Sequence, residues 1–159
     1  LATEPEFDSD AAHRFFSANC FNKAWDLIDK PIRTLEEDEE MICLSLASIW
    51  HWTQRKDHTR INLSVGYWQL SRIYTLLQQP ENARHYALLS LDLLPSDEAL
   101  PFYRAYAYEA LARAELVAGD IIKQAEYRDK ALQLAEDVAD PEDKQQLLRD
   151  LETTTSRDK

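Results

Sequence analysis

Apolar residues return along this chain at intervals of three and four, and the runs are separated by proline, glycine and short acidic segments, the pattern of successive amphipathic helices. From Ser9 to Asp29, the series Ala12, Phe15, Phe16, Phe21, Ala24, Trp25 and Ile28 keeps helical spacing, with or without a break near Asn19, and Pro31 closes the run. Thr34 and Glu37 then form a T-x-x-E capping box, and the acidic run Glu36 to Glu40 sets negative charge on the positive end of a helix predicted over 35–55. In that helix Met41, Leu44, Ala47, Ser48 and Trp52 share one face and Ile42, Leu46 and Ile49 another, which predicts cover on two sides. A third helix is expected over 60–78, and Pro80 starts a fourth that ends before Pro95. A fifth begins near Asp97 to Pro101 and stops at the cap Gly119, and a sixth runs from Asp120 to about Val138. Asp140, Pro141 and Asp143 open a last helix whose apolar side is Leu147, Leu148 and Leu151, and the polar stretch 153–159 is expected to fray. The count is seven or eight helices.

Composition narrows the class. Twenty-two Leu and nineteen Ala against three Val favour helix, since straight-chain side chains lose little rotamer freedom there. Gly66 and Gly119 are the only glycines, fewer than the turns of a sheet protein normally use, which argues against all-β and α/β folds. No apolar run approaches the roughly 18 residues of a bilayer span. A formal charge of −11 repels phosphate backbones and anionic lipid. The reading is therefore a soluble, cytoplasmic chain that engages neither nucleic acid nor membrane. Leu1 and the acidic residues after it lack the character of a signal peptide. Cys20 and Cys43 stand apart in apolar helical stretches and are expected to be buried, reduced thiols.

Internal periodicity organises the helices. With Ser64 as position 1 of a 34-residue unit, Tyr67, Leu70, Ser71, Tyr74, Ala83, Ser90 and Pro95 fall where a tetratricopeptide repeat places its aromatic, Leu, small and Pro residues; Ala87 stands where an aromatic is usual. Small residues at positions 8, 20 and 27 let two helices approach closely while large ones fill the space beside them. A second unit starts at Ala105, with Tyr108, Leu111, Ala112, Gly119, Ala131 and Leu132 in place, but with Glu115 replacing an aromatic and Gln124 replacing Ala. Its offset from the first implies extra residues around Ser96 to Phe102. The expected fold is all-α, a right-handed α-α superhelix of tetratricopeptide-like hairpins. It is read as one domain over 1–159: a divergent hairpin at 9–56, repeats at 60–95 and 101–138, and a capping helix at 141–153.

Beyond the generic repeat, the chain resembles a family of bacterial tetratricopeptide-like proteins of unknown function. The likeness lies in the segments from Phe21 to Pro31, Arg33-Thr34 with Glu37-Asp38 and Met41, Ala47-Ser48 with His51-Trp52, Trp68 to Tyr74, and Ala107 to Ala114. Leu46 stands where members of that family tend to have His. The resemblance implies the fold and carries no catalytic residues.

Side-chain chemistry points to binding rather than catalysis. His13, His51, His58 and His85 lie on different segments, and the chain has no H-E-x-x-H, C-x-x-C, Glu-x-x-His or Gly-rich phosphate loop, so no metal or cofactor is expected. Trp50 and Trp52 diverge by about 200° around a helix and cannot form one cage. Trp52 is expected in the core, with His51 reaching a neighbouring helix and a pocket conceivable beside it. In tetratricopeptide folds the first helix of each hairpin lines the concave face. That rule selects Val65, Trp68, Arg72, Thr75 and Leu76, then Tyr106, Glu109, Arg113, Leu116 and Val117. Arg72 and Arg113 recur at the same repeat position and would clamp an acidic group of a protein or peptide, with Trp68 and Tyr106 adding apolar contact. Against this, Glu109 and Arg113 are spaced for an i,i+4 ion pair and Trp68 and Arg72 for a cation and ring pair. The expected function is a non-catalytic protein- or peptide-binding scaffold. Self-assembly into homo-oligomers and a small-molecule sensor are the alternatives.

Overall fold

The computed structural model describes residues 7–95 and 100–155. The chain start, the four residues 96–99 at the expected insertion, and the final stretch 156–159 lie outside the described residues. Among those described, the chain is all-helical and no strand is present: α1 (Ser9–Ile28), α2 (Leu35–Gln54), α3 (Arg60–Leu76), α4 (Pro80–Asp92), α5 (Pro101–Ala118), α6 (Ile121–Glu136) and α7 (Pro141–Glu152). The sequence reads as one domain, but the chain divides into two units, Leu1–His58 and Thr59–Lys159.

The first unit is the α1–α2 hairpin. Its buried residues are Ser17, Cys20, Ala24 and Ile28 on α1, and Met41, Ser45, Ser48 and Ile49 on α2, two narrow lines at helical spacing. Small side chains let the backbones approach, so that the Ser48 hydroxyl donates to the Ser17 carbonyl oxygen at 2.6 Å. The connection is pinned at both ends. Thr34 and Glu37 form the expected capping box, Glu37 N–H to Thr34 Oγ1 at 3.2 Å and Thr34 N–H to Glu37 Oε2 at 2.9 Å. Arg33 donates through Nε to Asp38 at 2.8 Å and through Nη1 to the Lys30 carbonyl at 3.1 Å, where the carbonyls ending α1 lack helical partners.

The hairpin differs from the sequence pattern at several points. Helix α1 runs unbroken through Asn19. Phe15 and Phe16 are exposed, because the buried line passes through Ser17 and Cys20 instead. Leu46 is exposed too, although Ile49 of the same predicted face is buried. Cys20 is buried but Cys43 is exposed.

The second unit stacks five helices in two layers. Helices α3, α5 and α7 are neighbours in one layer; α4 packs against α3 and α5, and α6 against α5 and α7. Small side chains stand where α3 and α4 meet. Ser71 Oγ donates to the Ala83 carbonyl at 2.8 Å, and Ser64 Oγ to the Ser90 carbonyl at 2.9 Å. Ala87, which replaces the usual aromatic, is fully buried, and the neighbouring Tyr86 supplies the ring: it stacks on Tyr74 at 5.5 Å and Tyr67 at 6.0 Å. Gly119 closes α5 at φ 79°, with Asp120 N–H reaching the Glu115 carbonyl at 3.0 Å, a helix end that a side chain would strain.

Helix α5 is enclosed. Ten of its residues are buried, among them Glu109, Arg113 and Glu115, so a charged set lies inside the stack. Glu115, standing where the repeat expects an aromatic, accepts two bonds from Arg84 on α4, Nε at 2.5 Å and Nη2 at 2.7 Å. Gln124, where Ala is usual, is buried and donates to the Thr154 carbonyl at 2.7 Å. Thr154 is itself fully buried and bonds the Leu151 carbonyl. Residues 153 and 154 are thus docked against the stack rather than frayed. Leu147 and Leu151 of α7 join Ala105, Tyr106, Ala131, Ala135 and Val138 in one apolar cluster.

The buried Glu115 gives a direct test. Replacing Arg84 by Leu strands the carboxylate and is expected to cost about 3 kcal/mol in urea unfolding, whereas Arg84→Leu with Glu115→Leu recovers most of the loss. Equal losses in the single and double variants would show that the pair is not what holds α4 to α5.

Candidate binding site

Two neighbouring helices of the second unit bring aromatic side chains to one place. On α3, Val65 and Trp68 are three residues apart and lie on one face; on α5, Phe102, Tyr103 and Tyr106 do the same at spacings of three and four. These five, with Ser64, Ser90 and Gln146, line a cavity of about 320 Å³. Ser64 and Ser90, bonded to each other, bring α3 and α4 together there, and Gln146 comes from α7. The rings stand nearly at right angles: Trp68 to Tyr106 at 5.2 Å and 71°, Phe102 to Tyr106 at 5.0 Å and 75°, Phe102 to Tyr103 at 5.4 Å and 84°. Edge-to-face packing of this kind suits the aromatic quadrupole and fixes the walls.

Polar edges of two of these rings are tied to carboxylates. Tyr106 donates its hydroxyl to Asp150 Oδ2 on α7 at 2.7 Å, and Trp68 donates Nε1–H to Glu109 Oε2 at 3.4 Å. Burial, and then the bond to the Asp150 carboxylate, push the Tyr106 phenol well above its ordinary value, so it remains a donor. Glu109 is held in turn by Arg113, through Nε at 2.8 Å and through Nη2. The same guanidinium continues to the Thr153 hydroxyl at 2.8 Å and the Asp150 carbonyl at 3.2 Å, at the negative end of α7.

Of the residues expected to bind, Trp68 and Tyr106 come together at the cavity. Glu109 and Arg113 lie beside it as an interior pair, 2% and 8% exposed, so Arg113 cross-links α5 to α7 rather than offering an open cation. Arg72 is half-buried on α3 and outside the cavity lining. The two-guanidinium clamp is therefore not assembled as an open site.

His51 belongs to the first unit. Its Nδ1 lies 2.8 Å from Nδ1 of His13 on α1, and its ring stacks on Phe16 at 5.3 Å. Burial, followed by repulsion from His13, holds His51 below the ordinary imidazole range. Trp52 is half-buried under the Arg55 guanidinium, 3.8 Å from its ring centre, whereas Trp50 is exposed. Among the described residues, no three His, Cys, Asp or Glu side chains gather to hold a metal ion.

Sequence reasoning missed Phe102, Tyr103 and Gln146. Phe102 and Tyr103 precede Tyr106 at helical spacing, a legible signal, but they fall where the repeat offset implies an insertion. Gln146 follows from the docking of α7, which no local pattern reveals. Comparison with family models, curated proteins and solved structures found no match to this chain.

If Arg113 is a structural cross-link, Arg113→Leu strands buried Glu109 and releases the end of α7. The expected loss is about 3 kcal/mol in chemical unfolding, with Trp68 fluorescence altered in the folded state. Wild-type stability in that variant would return Arg113 to the role of an open ligand contact.

Proposed function

We propose that this protein is a non-catalytic, tetratricopeptide-like scaffold that binds a segment of a protein or peptide, and that the aromatic cavity of residues 59–159 is where the partner is anchored. The observation that carries this reading is the cavity itself, walled by Trp68, Phe102, Tyr103 and Tyr106. Its volume, about 320 Å³, lies at the small end of ligand pockets, a size that suits one inserted side chain better than a large cofactor. Rigid aromatic walls supply binding energy at low entropic cost, and such residues dominate the energetics of protein interfaces. The charged and polar groups nearby are engaged with one another, Arg113 with Glu109 and the Tyr106 hydroxyl with Asp150, an arrangement that supports holding a shape rather than moving protons.

The test is a peptide-display selection against the intact chain, followed by calorimetric titration of the selected peptides. Trp68→Ala and Tyr103→Ala are each expected to weaken binding at least about tenfold, roughly 1.4 kcal/mol. Trp50→Ala, in the other unit, should leave it unchanged. Selected peptides whose affinity ignores both cavity substitutions would sink the proposal.

A further inference from the structure

We propose that the group received by the aromatic cavity is a trialkylammonium, a methylated lysine side chain of the partner segment; this rests on the binding reading above. Three observations carry it. The first is the arrangement of the rings. Trp68 meets Tyr106, Tyr106 meets Phe102 and Phe102 meets Tyr103 at angles of 71° to 84°, and all four side chains line the one cavity. Ring faces are the negative side of the aromatic quadrupole, and a cation enclosed by several of them is attracted to each.

The second is the chemistry of the ring edges. Tyr106 O–H and Trp68 Nε1–H both donate to carboxylates, Asp150 and Glu109. A donor bonded to an anion passes electron density back into its ring, which strengthens the pull of the face on a cation.

The third is what the lining lacks. None of its described residues carries a formal charge, and its polar groups are two serines bonded to each other, tyrosine hydroxyls and the Gln146 amide. A carboxylate or phosphate would enter without a countercharge. A primary ammonium would leave strongly held water for a site with few acceptors for its three N–H groups. A trialkylammonium has no N–H to satisfy, gains from apolar contact, and keeps its charge for the rings. The chain's net charge of −11 draws cations toward it in any case.

Titration of the intact chain, at fixed ionic strength and followed by the Trp68 indole N–H resonance, separates these terms. The probes are choline chloride, its uncharged isostere 3,3-dimethylbutan-1-ol, and a peptide carrying trimethyllysine, lysine or norleucine at one position. Choline is expected to bind at least tenfold more tightly than the alcohol, and the trimethyllysine peptide at least tenfold more tightly than the other two. Phe102→Leu should remove both preferences. Trp68→Tyr, which keeps an aromatic wall, should retain part of them, and both variants are checked for native helicity. Equal binding of choline and the alcohol overturns the ammonium assignment and leaves an apolar binding site. Choline binding without peptide binding overturns the peptide reading and leaves a small-molecule site. If no probe shifts the resonance, the ammonium inference falls, while the display selection still decides the scaffold reading.

Discussion

A helix enclosed on every side must pair the charges it buries, and α5 buries three: Glu109, Arg113 and Glu115, each less than a tenth exposed. Isolated charges taken from water cost several kcal/mol each, so the stack holds only where partners arrive with good geometry. They arrive from both flanks. Arg84 on α4 grips Glu115 with two bonds, and Arg113 grips Glu109 and then the last turn of α7. The positions of α4 and α7 are therefore specified by the need to neutralise α5, over and above the apolar contacts around Ala105, Tyr106, Leu147 and Leu151.

The cavity follows from that constraint. With α7 fixed at the Arg113 end, Asp150 meets the Tyr106 hydroxyl and Gln146 reaches the lining. With α4 fixed by Arg84, and by serines at the close approach of α3, Ser90 reaches it from the other layer. The rings of Trp68, Phe102 and Tyr106 are then locked edge to face against one another and against carboxylates at their polar edges. A preorganised site of this kind loses little conformational entropy on binding.

Much of the fold was legible because helix ends are written locally. Thr34 with Glu37, Pro80, Gly119, and Asp140 with Pro141 each act within one turn, and the helices begin or end beside them. The close approaches at Ser71, Ala83 and Ser90 were equally plain, since small residues at helical spacing let two helices meet, whereas the contact at Ser64 was not foreseen. What failed was the prediction of cover. Periodicity gives the angular position of a side chain on its helix, not what stands opposite; Leu46 and Cys43 read as covered and are exposed. Arg113 failed in the opposite sense. It read as a surface cation because the concave-face rule leaves that side of α5 open, whereas the capping helix α7 packs against it. Of the site, Trp68 and Tyr106 were found from the repeat, while Phe102 and Tyr103 were hidden by the irregular spacing between repeats.

The claim that a neutralised, fully enclosed α5 organises residues 59–155 is tested most directly by native-state hydrogen exchange with increasing denaturant. The account predicts that the interior amides of α5 are the slowest of that unit and exchange only through its global unfolding. It would be contradicted if α5 exchanged through a smaller opening while α4 and α6 stayed protected.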